Sequence, residues 1–173
     1  MPTRESPRDA GFTIIELIGV MVMLIIILTA VTALFVSGSR AQVDLNERFA
    51  AQTEARVATD KIRGEVHCAS GVTASSSSSV TISLPAVCPS AGGADTSVTY
   101  STTSVGTGRF ELHRNGSRIA DYLTTGDVFA YLPPTVDSLG KLQLDLPVNV
   151  DPTQPWKVWR LRTDVVLRNT TRS

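Results

Sequence analysis

The first feature of the chain is an uninterrupted apolar segment near its amino terminus. Leu17–Val36 comprises twenty residues, LIGVMVMLIIILTAVTALFV, and no charged residue occurs from Leu17 to Ser39. At about 1.5 Å per residue, a helix of this length spans roughly 30 Å, which is the thickness of the hydrocarbon core of a bilayer. The rest of the 173-residue chain is too small to surround such a helix. The pattern predicts one transmembrane segment, Leu17–Val36.

A cleaved secretory signal is an alternative explanation of this segment. The apolar region of such a signal is typically about 7–15 residues long and follows a basic flank. Here the apolar run is longer, and Arg4 and Arg8 in the flank are balanced by Glu5 and Asp9. Small residues at positions 31–33 match a signal cleavage site only weakly. The sequence favours an apolar helix that stays attached to the mature chain.

A helical pattern continues beyond the apolar segment. Residues 39–66 contain no proline, and opposite charges four residues apart lie on adjacent turns of a helix. The pairs are Asp44–Arg48, Arg56–Asp60 and Lys61–Glu65, and they predict a solvated face. An apolar stripe for packing on a sheet is predicted from five residues, Val43, Phe49, Val57, Ile62 and Val66. Residues 12–66 are therefore predicted to form one long helix.

From Ser70 onward, apolar and polar residues alternate with the period of two that is typical of β-strands. The clearest runs are Leu142–Val150 and Trp159–Leu167, and shorter ones are Val80–Leu84, Val98–Tyr100, Phe110–Leu112 and Val128–Leu132. The pattern predicts an antiparallel sheet with one buried face in residues 67–173. The fold class is then α+β, with the second half of the long N-terminal helix packed on the sheet.

Two short segments between the strands carry specific turn predictions. Asn115-Gly116 favours a type I′ hairpin turn, because both central residues of that turn have positive φ. Thr73–Ser79, which reads TASSSSS, is of low complexity and is predicted to be an exposed loop.

Charge and composition argue against two classes of function. Sixteen basic residues balance sixteen acidic ones, whereas general nucleic-acid binders carry a basic excess, so no nucleic-acid partner is predicted. His67 and His113 are isolated in the pattern, and no glycine-rich phosphate loop or Gly-x-Ser-x-Gly motif occurs. Asp121, Asp127 and Asp137 are spaced like turn residues. No catalytic residues, metal site or cofactor are predicted.

The residues around the start of the apolar segment carry a specific motif. Glu16 is a carboxylate beside an apolar run, and a charge in that position generally has a function and a partner. It lies in the sequence Gly-Phe-Thr-Ile-Ile-Glu-Leu-Ile at 11–18, which follows a short hydrophilic leader. Together with the apolar run to Val36, this motif resembles the amino terminus of type IV prepilins and of the related pseudopilins of type II secretion. The rest of the chain shows only general similarity.

The resemblance implies how the precursor is processed and where it resides. Residues 1–11 are the leader, a prepilin peptidase/methyltransferase cleaves between Gly11 and Phe12, and the new amino group of Phe12 is N-methylated. The mature chain is a single-pass protein of the cytoplasmic (inner) membrane, in contact with membrane lipid. Its C-terminal domain lies outside the cytoplasm, and the protein then enters a pilus or pseudopilus.

The resemblance also implies a role in filament assembly. The Glu16 carboxylate of one subunit pairs with the Phe12 ammonium of its neighbour, and the pair sets the axial stagger between subunits. The partners are other pilins or pseudopilins, through the N-terminal helix, and the inner-membrane assembly platform. The strand-rich C-terminal region favours a minor pilin or minor pseudopilin over a small major subunit.

Two departures from the family pattern accompany the resemblance. The leader is balanced in charge where family leaders are commonly basic, and the later part of the apolar run lacks the proline that major pilins often carry.

An alternative of another class is a single-span, membrane-anchored extracytoplasmic binding module that does not form filaments. Such a module needs neither Gly11-Phe12 nor Glu16.

Cys68 and Cys88 are the two cysteines of the chain. If the C-terminal region lies outside the cytoplasm, its oxidising surroundings favour a disulfide between them. The bond would close a loop around the serine tract. The alternative is a pair of free, buried thiols.

Overall fold

One long helix is followed by eight strands in the computed structural model, which describes residues 13–168. The helix α1 spans Ile14–Cys68. The strands are β1 Gly71–Ser76, β2 Ser79–Leu84, β3 Thr96–Gly106, β4 Arg109–Arg114, β5 Ser117–Leu123, β6 Phe129–Leu132, β7 Lys141–Val148 and β8 Trp159–Val166. Short 3₁₀ helices lie at Pro89–Ala91 and Pro155–Lys157. The chain divides into two compact units, Met1–Val43 and Asp44–Ser173.

The strands form one antiparallel sheet in the order β1-β2-β3-β4-β5-β7-β6, with β8 also paired to β7. β8 pairs along the whole of β7 and β6 pairs with its first half, so β6 and β8 lie on opposite edges of β7. β5 joins β7 through the single pair Leu123↔Val148. The backbone N–H groups of Val128 and Phe129 donate to the carbonyl of Ser77, so the sheet curls and brings β6 towards the β1–β2 hairpin.

The predicted alternation of the strands is confirmed. In β7, Leu142, Leu144 and Leu146 are at most 2% exposed, while Lys141, which precedes them, and Gln143, which lies between the first two, are exposed. The same alternation places Val80, Ile82 and Leu84 of β2 in the core. One face of the sheet is therefore buried, and the chain is α+β, as the sequence predicts.

Within the unit Asp44–Ser173, α1 contributes its small residues to the core. Ala51, Ala55, Ala58, Ile62 and Val66 are at most 1% exposed and belong to the same apolar core as the strands. They are three or four residues apart, which places them on one face of the helix. An alanine face lets the backbone of a helix approach its neighbours closely.

The predicted apolar stripe of the helix is correct only at its end. Ile62 and Val66 are buried, but Val43, Phe49 and Val57 are 54%, 73% and 61% exposed. The buried face is formed instead by Ala51, Ala55 and Ala58, whose small side chains give only a weak apolar signal in the sequence. The observed helix also ends at Cys68, two residues beyond the predicted end, while its predicted first residue, Phe12, lies outside the described residues.

The two turn predictions have opposite outcomes. Asn115 and Gly116 have φ of 49° and 81° and join β4 to β5, so the predicted hairpin is confirmed. The prediction of a loop at Thr73–Ser79 is wrong, because these residues include the last four residues of β1, the turn and the first residue of β2. Val72 and Thr73, both β-branched and suited to strands, pair with Ile82 and Thr81. Only Ser77 and Ser78 form the turn.

Candidate functional site: an apolar helix surface and two charged networks

The apolar segment of α1 is exposed along its whole length. Every large apolar residue from Ile14 to Val36 is at least 41% exposed, and this is the one helix of residues 13–168 that is long and apolar enough to cross a membrane. Its polar side chains are satisfied internally, since the hydroxyls of Thr29 and Thr32 donate to the carbonyls of Ile25 and Leu28, each at 2.8 Å. Internal satisfaction of polar groups is what a bilayer demands of a spanning segment.

Glu16 lies in the first turn of this helix and takes part in its cap. The backbone N–H of Glu16 donates to Oγ1 of Thr13 at 3.3 Å, which makes Thr13 the N-cap and Glu16 the third helical residue. Thr-x-x-Glu is the pattern of a capping box, and a carboxylate at this end also complements the helix dipole. The observed cap uses the backbone N–H of Glu16, and the match to the capping-box pattern gives the Glu16 carboxylate a local explanation beside its predicted role in assembly.

The other residues of the predicted processing site lie outside the described residues. Gly11 and Phe12 precede Thr13, at which the description begins. Cleavage after Gly11, methylation of Phe12, and pairing of Phe12 with Glu16 therefore stay predictions.

The disulfide prediction is confirmed. Cys68, the last residue of α1, is bonded to Cys88, which precedes the 3₁₀ helix Pro89–Ala91, and their Cα atoms are 5.9 Å apart. The alternative of two free thiols is wrong. Because Cys88 is only 2% exposed, the bond fastens the end of the helix to the buried side of this loop.

A buried charged network joins α1 to the sheet, and the sequence pattern does not predict it. Glu65 is 1% exposed. Its Oε2 accepts a hydrogen bond from the Tyr100 hydroxyl at 2.6 Å, and its Oε1 accepts from Nε and Nη2 of Arg114 at 3.1 and 2.8 Å. The interpretation of Lys61–Glu65 as a pair on a solvated face is therefore wrong for Glu65. Since β3 and β4 supply the two partners, the network fixes the helix against both strands.

The pKa shifts in this network have clear causes. Burial, and then the hydrogen bond to the Glu65 carboxylate, raise the pKa of the Tyr100 hydroxyl. Burial alone would lower the pKa of the Arg114 guanidinium, but the hydrogen bond and the charge of Glu65 reverse this and raise it. Tyr100 is thus a neutral donor and Arg114 a cation across the physiological range of pH.

The other predicted helix pairs have mixed outcomes. Arg48 binds both carboxylate oxygens of Asp44, at 3.0 and 3.1 Å, as its spacing predicts. Asp60 pairs instead with Arg63, at 3.3 Å. Arg56 lies over the ring of Trp159 at 5.5 Å, so its predicted partner is replaced by an aromatic face of β8.

A second network lies on β4 and β5. Asp121, predicted to be a turn residue, is in β5, and its side chain is only 4% exposed. It accepts hydrogen bonds from Arg109 at 2.5 and 3.0 Å, from Arg118 at 3.1 Å and from the backbone N–H of Tyr122 at 2.5 Å. Burial alone would raise the pKa of Asp121, but these donors, Arg109 first, lower it. Arg109 also stacks on the ring of Tyr122 at 4.2 Å.

The two histidines lie apart in the fold. His67 is in the last turn of α1, and His113 is in β4, where Nε2 is 3.1 Å from Glu111 and Nδ1 is 3.2 Å from the carbonyl of Gly116. Within residues 13–168, no group of three histidine, cysteine or acidic side chains is arranged to hold a metal ion. The charged side chains of the described residues instead form two networks, one joining α1 to β3 and β4 and the other joining β4 to β5.

Comparison of the chain with models of known protein families, with curated proteins and with solved structures finds no match in any of the three.

Proposed function

We propose that this protein is a structural, non-enzymatic subunit of a type IV pilus-like filament, a minor pilin or minor pseudopilin. It is made as a prepilin, cleaved after Gly11 and N-methylated at Phe12. The observation that supports the proposal most strongly is the exposed apolar surface of α1, with Glu16 as the one charged residue from Thr13 to Ser39. Such a surface needs a lipid or protein environment.

The same surface can serve the protein before and after assembly. In the membrane, the segment Leu17–Val36 is solvated by lipid. In a filament, the helices of neighbouring subunits replace the lipid, and small residues such as Gly19 and Ala30 allow close approach. A carboxylate and an ammonium that are both costly to bury offset part of that cost when they pair. The proposed contact between Glu16 and the Phe12 ammonium of a neighbour would therefore favour one stagger.

The first experiment measures the intact mass and the N-terminal sequence of the protein recovered from membranes, with and without a co-expressed prepilin peptidase. We expect a chain that begins at Phe12 and carries one additional methyl group, only when the peptidase is present. A chain that begins at Met1 under both conditions contradicts the processing proposal. A chain that begins near Leu34 would indicate a secreted domain.

The capping box favours a second candidate, the single-span anchored binding module. The residues Thr13-x-x-Glu16 match the capping-box pattern, and the Glu16 backbone N–H donates to the Thr13 hydroxyl, so a helix cap would account for both residues without any filament. The conservative variant Glu16→Gln separates the two functions, because glutamine keeps the capping pattern and removes the charge. If the carboxylate pairs with a neighbouring ammonium, Glu16→Gln and Glu16→Leu both leave cleavage intact and abolish incorporation into filaments. If capping is the only role of Glu16, the Glu16→Gln chain is incorporated to the same extent as the wild type. Only the Glu16→Leu chain then differs from the wild type.

A further inference from the structure

The turn between β4 and β5 places an asparagine directly before a glycine on the protein surface. Asn115 and Gly116 are both exposed, and their φ angles of 49° and 81° are both positive, as a type I′ turn requires. In such a turn the hydrogen bond joins the two flanking residues, which here are the strand pair Arg114 and Ser117, and leaves the N–H of the third residue unused. The backbone nitrogen of Gly116 is therefore accessible, and no β-carbon beside it hinders close approach.

Strand β3 holds the side chain of Asn115 by a hydrogen bond to its amide oxygen. The backbone N–H of Thr99 donates to Oδ1 of Asn115 at 2.8 Å, and the backbone N–H of Asn115 donates to the carbonyl of Thr99 at the same distance. A backbone N–H aimed at a carbonyl oxygen stabilises the negative charge that this oxygen gains when its carbon is attacked. The contact with Thr99 therefore activates the amide carbon Cγ of Asn115 towards a nucleophile.

The other two asparagines of residues 13–168 lack this arrangement. Asn46 is exposed but lies inside α1, where the helical hydrogen bonds fix the backbone, and it is followed by Glu47. Asn149 is only 5% exposed, its Nδ2 donates to the carbonyl of Gln154 at 3.0 Å, and the bulky Val150 follows it. These two residues serve as controls within the same chain.

We propose that Asn115 is a site of spontaneous backbone modification in the folded protein, through attack by Gly116. The nitrogen of Gly116 forms a bond to Cγ of Asn115 and loses its proton, and the side-chain nitrogen leaves as ammonia. The product is a cyclic succinimide. Water then adds to either carbonyl carbon of the ring and breaks the bond from that carbon to the nitrogen, which gives aspartate or isoaspartate at position 115. The net change is the loss of one ammonia and the gain of one water, so no oxidant or reductant takes part.

The two products differ in their effect on the hairpin. Aspartate keeps an oxygen that accepts the N–H of Thr99. Isoaspartate carries the main chain through the former side chain, which adds a carbon to a turn whose length fixes the register of β4 and β5. Arg114, the residue before the turn, binds the buried carboxylate of Glu65 at 2.8 Å. Isoaspartate at position 115 therefore weakens the network that joins α1 to the sheet, and aspartate leaves it in place.

Incubation of the full chain in detergent micelles, followed by peptide mass mapping, tests the modification. We expect the product at position 115 but not at Asn46 or Asn149, at a rate that rises with pH because the attacking nitrogen must lose its proton. Gly116→Asp keeps a residue that suits a type I′ turn and places a β-carbon beside that nitrogen. We expect this variant to react about tenfold more slowly at position 115, through a higher barrier to attack. Product that forms only in urea-unfolded chain, at equal rates at Asn46, or at an unchanged rate in Gly116→Asp overturns the inference.

The melting temperature of each product tests the link to the buried network. The isoaspartyl form is separated from the aged protein by chromatography, and Asn115→Asp serves as the matched aspartyl form. We expect the isoaspartyl form to melt below the wild type and Asn115→Asp to melt close to it. Equal melting temperatures for the isoaspartyl form and Asn115→Asp would overturn the effect on the hairpin. None of these measurements requires processing or filaments, so their outcome is independent of the proposed function.

Discussion

At the scale of single residues, Glu65 is the side chain on which the attachment of α1 to the sheet depends most. Replacing it with alanine leaves the Arg114 guanidinium, which is 20% exposed, without its counter-ion and leaves the buried Tyr100 hydroxyl without its acceptor. Breaking a buried pair from one side costs about 3–5 kcal/mol. We expect Glu65→Ala to lower the free energy of unfolding by an amount in that range, measured by urea denaturation of the full chain in detergent micelles.

Two variants show whether this loss comes from the unpaired charge. Glu47→Ala removes a carboxylate from an exposed position of the same helix and should change the free energy of unfolding by less than about 0.5 kcal/mol. Glu65→Leu combined with Arg114→Met and Tyr100→Phe removes both charges and the hydroxyl that Glu65 accepts from, and should restore most of the stability, because apolar replacements of a whole buried network are often neutral. Equal losses for Glu47→Ala and Glu65→Ala would refute the role of the network.

Asp121 gives a prediction for the dependence of stability on pH. Its pKa is lower in the folded protein, through Arg109 and the N–H of Tyr122, than in an unfolded chain. The ionised carboxylate therefore stabilises the fold above the unfolded pKa of about 3.9, and this contribution is lost as the pH falls through the folded value. We expect Asp121→Asn to lower the melting temperature at pH 7, and the difference from the wild type to shrink below about pH 4. A difference that is constant from pH 7 to pH 3 would contradict the ionic contribution.

Residue-scale chemistry is also where the sequence was least informative. Glu65 has the same spacing to Lys61 that Asp44 has to Arg48, yet only the latter pair forms. What distinguishes Glu65 is Arg114, 49 residues away, and local spacing carries no information about such a partner. Asp121 was misassigned for the same reason, since Arg109 belongs to the preceding strand. By contrast, Asn115-Gly116 was predictable because its turn is determined by local backbone conformation.

At the scale of elements, the disulfide fastens the end of α1 to the loop that follows β2. Cys68 and Cys88 are separated by 20 residues, and closing a loop of this size stabilises a fold by about 3 kcal/mol in the chain-entropy description. We expect the double variant Cys68→Ser and Cys88→Ser to lose stability of that order in urea denaturation. A reductant should destabilise the wild type by a similar amount and leave the double variant unchanged. Identical urea denaturation curves for the wild type and the double variant, each with and without reductant, would show that the disulfide contributes nothing to stability.

A strand or helix face could be predicted from the sequence where its apolar residues recur with a regular period and have large side chains. Apolar and polar residues alternate regularly in Leu142–Val150 and Trp159–Leu167, and these segments contain most of β7 and β8. β1 was missed because exposed serines carry no alternation, so only its pairing with β2 reveals it as a strand. The buried face of α1 was missed where alanines form it.

At the scale of the whole molecule, all the buried apolar residues found between residues 13 and 168 lie within the second unit. They begin at Ala51 and end at Leu167, so the unit Asp44–Ser173 contains its own core, its disulfide and both charged networks. A unit with its own core can in principle fold alone. We expect a chain that begins at Asp44 to remain in solution without detergent and to unfold in one cooperative transition, as single domains of this size generally do.

The charged networks and the disulfide supply the controls for this fragment. Its melting temperature should equal that of the full chain in micelles, and Glu65→Ala should lower both melting temperatures equally, since the network lies wholly inside the fragment. The segment Leu17–Val36 by itself should determine whether the chain attaches to the membrane. In the full chain, Ile26→Lys places a charge near the middle of that segment at a cost of about 3 kcal/mol, which should lower the fraction of chains that span the membrane and leave the melting temperature unchanged. A fragment that aggregates, or that melts without cooperativity, would show that residues before Asp44 are needed for the fold as well as for attachment.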